Sequence, residues 1–186
     1  MYSTLKWIIL LNPVANPGDI SVNVTDGTDA LSGVTVVLTD SDEDTTTKTT
    51  DSDGETTFDN VDPGTYTLTA SKSGYTTETE TIVVNGDATV EMELTVTRSV
   101  SFTIDDGDTP TPAAVQGAYI TIDGDTAGKR GPTGSGGGCT ATLADGEHTL
   151  LITAEGFEDK TTTIEVDSTH TSFTISLTAA TTEGSG

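Results

Sequence analysis

Carboxylates crowd into short turns along this chain. Asp40-Ser41-Asp42-Glu43-Asp44, Asp51-Ser52-Asp53-Gly54, Asp105-Asp106-Gly107-Asp108 and Asp123-Gly124-Asp125 each gather hard oxygen ligands within a few residues, the donor type that Ca2+ takes. None continues as an EF-hand loop. The competing reading is a solvated hairpin tip, where Asp favours the turn and its charge blocks edge-to-edge pairing. Asp40, Asp42, Asp44, Asp51 and Asp53 are therefore weak Ca2+ candidates, and no other cofactor is expected. His148, His170 and Cys139 are the only softer ligands, a set that in principle suits Zn2+. Their settings argue otherwise: His148 falls at a core or half-core strand position, His170 in a hairpin turn and Cys139 at the start of a strand.

Catalytic spacing is missing as well. No Gly-x-Ser-x-Gly elbow and no His-Glu-x-x-His pair occurs. Gly131-Pro132-Thr133-Gly134-Ser135-Gly136-Gly137-Gly138 lacks the Gly-Lys-Ser/Thr of a phosphate-binding loop and leads into a strand, so it reads as a flexible loop. An enzyme is not expected.

The elements behind these turns are strands. The chain has 186 residues with about forty threonines, 20 glycines and 5% aromatics, a composition rich in strand formers and poor in helix formers. Two halves superpose along the sequence. Ile20-Ser21-Val22-Asn23-Val24, Gly33-Val34-Thr35-Val36-Val37-Leu38, Gly64-Thr65-Tyr66-Thr67-Leu68, Gly74-Tyr75 and Val90-Glu91-Met92-Glu93-Leu94 are echoed in order. Their counterparts are Val100-Ser101-Phe102-Thr103-Ile104, Gly117-Ala118-Tyr119-Ile120, Gly146-Glu147-His148-Thr149-Leu150, Gly156-Phe157 and Phe173-Thr174-Ile175-Ser176-Leu177. Alternation at period two within each block marks half-buried strands, and turn residues every ~8–12 positions favour a sandwich. The fold class expected is all-β: two tandem Ig-like or prealbumin-like antiparallel β-sandwiches with essentially no helix. The boundaries read as an N-terminal arm over 1–19, domains over 20–97 and 98–179, and a flexible tail over 180–186.

The expected cores are Val22, Val36, Leu38, Phe58, Tyr66, Leu68, Tyr75, Ile82, Val90, Met92 and Leu94 in the first copy. Those of the second are Phe102, Ile120, Ile122, Leu143, Leu150, Ile152, Phe157, Ile164, Val166, Phe173, Ile175 and Leu177. Ahead of them the arm carries Leu5, Trp7, Ile8, Ile9, Leu10 and Leu11, stopped by Pro13 and Pro17. These six apolar residues are the candidate docking set, able to add a strand to a partner's sheet with Trp7 in a pocket. The competing reading is that they complete the first domain's own sheet. Their apolar run is shorter than a secretory h-region, so the chain reads as unexported and unprocessed.

Thr50 to Asp53-Gly54, Phe58, Val61-Asp62-Pro63-Gly64-Thr65-Tyr66-Thr67-Leu68 and Lys72-Ser73-Gly74-Tyr75 resemble the carboxypeptidase regulatory-like domain, a transthyretin-like relative of Cna B-type surface repeats. The second copy, through Leu143-Ala144-Asp145-Gly146-Glu147-His148 and Gly156-Phe157, is similar to a PEGA-type repeat, with the glycine-rich stretch in place of the Asp-x-Asp-Gly turn. The resemblance implies a seven-stranded sandwich acting as a spacer or binding surface. Cna B-type domains often carry a Lys–Asn isopeptide bond, but the early strand here has no lysine and Ala70 stands where the related motif places its Glu, so no such bond is expected.

Thirty acidic against seven basic residues give a formal charge of −23, which disfavours nucleic acid and anionic membranes as partners. The favoured function is a non-enzymatic structural protein of a tailed phage or related virus, displaying its domains from capsid or tail and anchored through the arm. Its partners are then virion proteins and copies of itself, with a host-surface glycan or protein as a further candidate. It would be made in a host cytoplasm and sit on the virion surface. The alternative is an extracellular cell-surface adhesion or stalk module binding glycan or protein.

Overall fold

Alternating apolar and polar residues form strands where the sequence places them. The computed structural model describes residues 16–108 and 110–181, and these contain strands, turns and loops but no helix. The arm residues Leu5, Trp7, Ile8, Ile9, Leu10 and Leu11 lie outside the described residues. The chain divides into two compact units, one of residues up to Ser73 with Thr77–Leu94, the other of Gly74–Thr76 with Thr95 onward.

The first unit contains β1 (Gly18–Thr25), β2 (Thr35–Thr39), β3 (Thr45–Thr49), β4 (Glu55–Val61), β5 (Gly64–Ser71), β6 (Glu78–Val84) and β7 (Ala88–Glu93). They form a three-stranded sheet β4-β1-β7 and a four-stranded sheet β3-β2-β5-β6. The second unit repeats this with β8 (Thr97–Asp105), β9 (Tyr119–Ile122), β10 (Asp125–Arg130), β11 (Gly138–Ala144), β12 (Gly146–Thr153), β13 (Lys160–Val166) and β14 (Ser172–Ser176). Its sheets run β11-β8-β14 and β10-β9-β12-β13.

The expected antiparallel pairing holds for all but one pair of strands in each unit. β1 pairs with β7 in parallel, Ile20 opposite Ala88 through Thr25 opposite Glu93, and β8 pairs with β14 in parallel, Ser101 opposite Ser172 through Asp105 opposite Ser176. The cause is topological: the last strand crosses from the four-stranded to the three-stranded sheet and arrives running in the direction of the first.

Period two decides the cores. Ile20, Val22 and Val24 of β1 and Val100, Phe102 and Ile104 of β8 all point inward and are buried. Complete burial of such a side chain stabilises by ~1.5–3 kcal/mol. Tyr66, Tyr75 and Ile82, expected in the core, are only half-buried, and Phe157 and Phe173 pack against their core from a partly exposed position. Ile82 is on an edge strand, whereas Tyr66 keeps its hydroxyl on the Asp62 carbonyl at 2.9 Å. Ile20, Val24, Leu31, Val34, Ala70 and Val84 complete the first core instead.

A buried threonine recurs at the same place in both units. Thr50 Oγ1 donates to the Leu31 carbonyl (2.6 Å) and accepts from the Val34 N–H (3.0 Å). Thr133 Oγ1 donates to the Val115 carbonyl (2.6 Å) and accepts from the Ala118 N–H (3.0 Å). Each hydroxyl fastens the segment leading into β2 or β9. The turn just after it is also shared: Gly54 N–H donates to Asp51 O in the first unit, as Gly137 N–H does to Gly134 O in the second. Residues 131–138, expected to be a flexible loop, are therefore a hydrogen-bonded turn anchored by Thr133.

Candidate functional site

In the first unit the edge strands β3 and β4 of opposite sheets face one another across a cleft. Within β3 the inward phase falls on Thr46 and Lys48, opposite Leu38 and Val36. An inward-pointing lysine on an edge strand is a recognised guard against strand addition. Its ammonium reaches across to β4, donating to the Thr57 carbonyl and to Asp59 Oδ2 at 2.9 Å, and sits 5.7 Å from the centroid of the Phe58 ring. The Lys48 bond holds the Asp59 carboxyl below its usual value.

The cleft has a volume of about 420 Å3, and Leu38, Asp40, Asn60, Asp62 and Tyr66 complete its wall. Burial, with Asp62 and Asp40 adding to it, pushes the Tyr66 phenol above its ordinary value, so it stays a neutral hydrogen-bonding group. Asn60 adopts a left-handed backbone (φ 51°) and its N–H donates to Asp19 Oδ1 at 2.8 Å. The cleft thus offers a neutral phenol, a compensated ion pair and a carboxamide: hydrogen-bonding chemistry for a polar ligand. Sequence reasoning did not single out Lys48, Asn60 or Tyr66 as site residues. A charged residue in the inward phase of a threonine strand was the signal available for Lys48.

Of the carboxylates singled out from the sequence, Asp40 and Asp51 serve their own turns. Asp40 Oδ1 accepts the N–H groups of Asp42 and Asp44, both at 2.9 Å. Asp51 Oδ1 accepts those of Asp53 (2.9 Å) and Glu55 (3.0 Å). Among the described residues no group of three or more His, Cys, Asp or Glu side chains is arranged to hold a metal ion, and His148, His170 and Cys139 are not brought together. Burial pushes the Cys139 thiol above its ordinary value, away from the reactive thiolate. His170 sits between β13 and β14, a connection that changes sheets rather than closing a hairpin. There Asp167 gathers it, Oδ1 accepting the His170 N–H (2.8 Å) and Oδ2 facing Nδ1 (2.9 Å).

His148 has the more demanding setting. Nδ1 lies 2.6 Å from Asp123 Oδ2 in the turn after β9, and Nε2 lies 2.9 Å from the Ala144 carbonyl. Two acceptors on two ring nitrogens suit the imidazolium. Burial opposes that charge, yet Asp123, the Ala144 carbonyl and Glu165 together hold the imidazole above its ordinary value of 6.5. Burial likewise works against the Asp123 charge, but His148 and the Thr149 N–H keep its carboxyl below 3.8. A raised imidazole contributes stability that is complete below 6.5 and fades as pH rises through its folded value; a lowered carboxyl contributes stability lost as pH falls below 3.8. The pair is therefore strongest between those values. Urea unfolding followed from mildly acidic to alkaline pH should show the second unit losing stability as pH rises beyond 6.5, and His148→Gln should flatten that slope. A variant with the slope of the parent would refute the role assigned to the pair.

Residues 19–97 match the carboxypeptidase regulatory-like domain family and residues 112–181 match the PEGA domain family. No curated protein matches the chain significantly. Among solved structures it is similar to the Bacillus anthracis TIE protein, at 18% identity over 88% of this chain and 34% of that one, with a TM-score of 0.42. It is also similar to the minor pilin of Streptococcus agalactiae, at 15% identity over 91% and 99% of the two chains, with a TM-score of 0.49. A streptococcal ancillary pilin gives 18% identity over 90% and 63%, with a TM-score of 0.42. The chain thus spans about a third of the first of these proteins.

Proposed function

We propose, from two sandwiches that match a carboxypeptidase regulatory-like and a PEGA domain, that this chain is a non-enzymatic structural or adhesion module of a cell surface. The observation that carries this reading is the parallel pairing of first and last strands. Because β1 and β7 run the same way, the chain comes in at one end of the unit and leaves at the other, and β8 and β14 do the same in the second. A domain threaded in this way holds its two neighbours along the chain a fixed distance apart. Four turn carboxylates support the reading too, since Asp40, Asp51, Asp106 and Asp167 cap backbone N–H groups.

The resemblance of the first copy to Cna B-type surface repeats supports the cell-surface reading over the virion one. In this reading Leu5, Trp7, Ile8, Ile9, Leu10 and Leu11 dock the module to a neighbouring surface protein, and the cleft at Lys48 and Tyr66 is a contact site for a polar ligand such as a glycan. The test is to treat intact producing cells with protease and with antibody against the purified chain. Surface labelling that protease removes, and that is lost when residues 5–11 are deleted, is the expected result. Recovery of the chain only with purified viral particles would move the assignment to a virion, and recovery only inside cells would overturn both.

A further inference from the structure

The geometry points to a mechanical role: each unit is a clamp in which tension along the chain is resisted by shear between its first and last strands. This deepens the spacer reading and rests on it only for the source of the force. Tension drawn through the polypeptide pulls β1 towards its start and β7 towards its end. The two strands are adjacent and parallel, so the forces lie along the ladder in opposite senses. Every rung from Ile20–Ala88 to Thr25–Glu93 is then strained together. Rungs loaded in the perpendicular direction would open one after another, each at the cost of a single hydrogen bond.

The ladder is reinforced at both ends. At its start the Asp19 N–H donates to Asp87 Oδ1 at 3.0 Å, and at its finish the Leu94 N–H donates to the Thr25 carbonyl at 2.9 Å. Between them Asn23 Nδ2 donates to Glu91 Oε2 at 2.8 Å. β1 is also the central strand of its sheet, held by β4 on its other side. The second unit has the same plan: the Ser101 N–H donates to Thr171 O at 2.9 Å, Ser101 and Ser172 share a hydroxyl bond at 2.6 Å, and the Leu177 N–H donates to Asp105 O at 2.8 Å. Sliding either pair also drags buried side chains, Val22 and Met92 in the first unit and Phe102 and Ile175 in the second, out of their cores. Forced unfolding is governed by the unfolding barrier, so a barrier that needs all rungs to fail at once shows up as a high rupture force.

Single-molecule pulling on the full chain tests this. With handles at the two chain ends, two abrupt ruptures are expected, one for each unit. In a Cys139→Ser background, Asn16→Cys and Asn85→Cys place handles at the same end of β1 and β7, where Asn16 N–H faces Asn85 Oδ1. Pulling there peels the first unit's ladder open. End-to-end rupture should need a force several-fold higher than peeling at the same loading rate, with circular dichroism showing that the handle variant is folded. Equal forces in the two directions, or smooth extension without ruptures, would overturn the clamp. Either result would leave surface display untouched, because that reading stands or falls on the protease and labelling experiment.

Discussion

Thr133→Val should destabilise the second unit by about 2–4 kcal/mol, because the buried Val115 carbonyl and Ala118 N–H both lose their partner and an unsatisfied buried group costs ~1–3 kcal/mol. Valine fills the same volume, so the effect isolates the hydroxyl. For a unit of this size the loss corresponds to a fall of roughly 8–32 °C in Tm. Thr133→Ser keeps both hydrogen bonds and gives up one buried methyl, about 1 kcal/mol. Thr50→Val should do to the first unit what Thr133→Val does to the second, since its hydroxyl joins Leu31 and Val34 in the same way. Hydrogen exchange at the Val34 and Ala118 amides reads the two units separately. If the valine variants kept the protection and Tm of the parent, the hydroxyls would not be the fastening.

Gly137→Ala should cost a further large amount, about 2–4 kcal/mol. Gly137 holds a left-handed backbone (φ 71°), which costs a residue with a Cβ ~1–2 kcal/mol. A Cβ there would also overlap the Ile104 carbonyl, and because the backbone N–H of Ile104 donates to Gly137 O at 2.9 Å, relief requires backbone movement and weakens a bond worth ~1 kcal/mol. The corresponding glycine of the first unit, Gly54 (φ 79°), faces the Val24 carbonyl 2.6 Å from the position of a Cβ. One residue away, Gly136 has open space around it, so Gly136→Ala should be neutral or should stabilise slightly by restricting the unfolded chain, ~0.4–1 kcal/mol. Denaturant midpoints of the two alanine variants provide the check. Similar midpoints would mean that the glycine-rich turn is not held as described.

By period and turn chemistry alone, the sequence already determined an all-β chain, its two-fold repetition, the positions of β1, β2, β5, β7 and their counterparts, and most of each core. Val90, Met92 and Leu94, or Ile175 and Leu177, alternate with polar residues so regularly that only a half-buried strand satisfies them. The acidic turns were legible as turns for the same local reason, an Asp side chain bonding the backbone a few residues ahead. Features that depend on contacts distant along the chain were decided by the tertiary structure. Lys48 and Asp59, His148 and Asp123, and the fastening of Leu31 to Val34 through Thr50 each join residues that no periodicity relates. The parallel pairing of first and last strands is of this kind as well. Alternation places Val22 and Val90 on inward faces, but which strand lies beside which, and in what direction, is set by where β7 crosses between sheets.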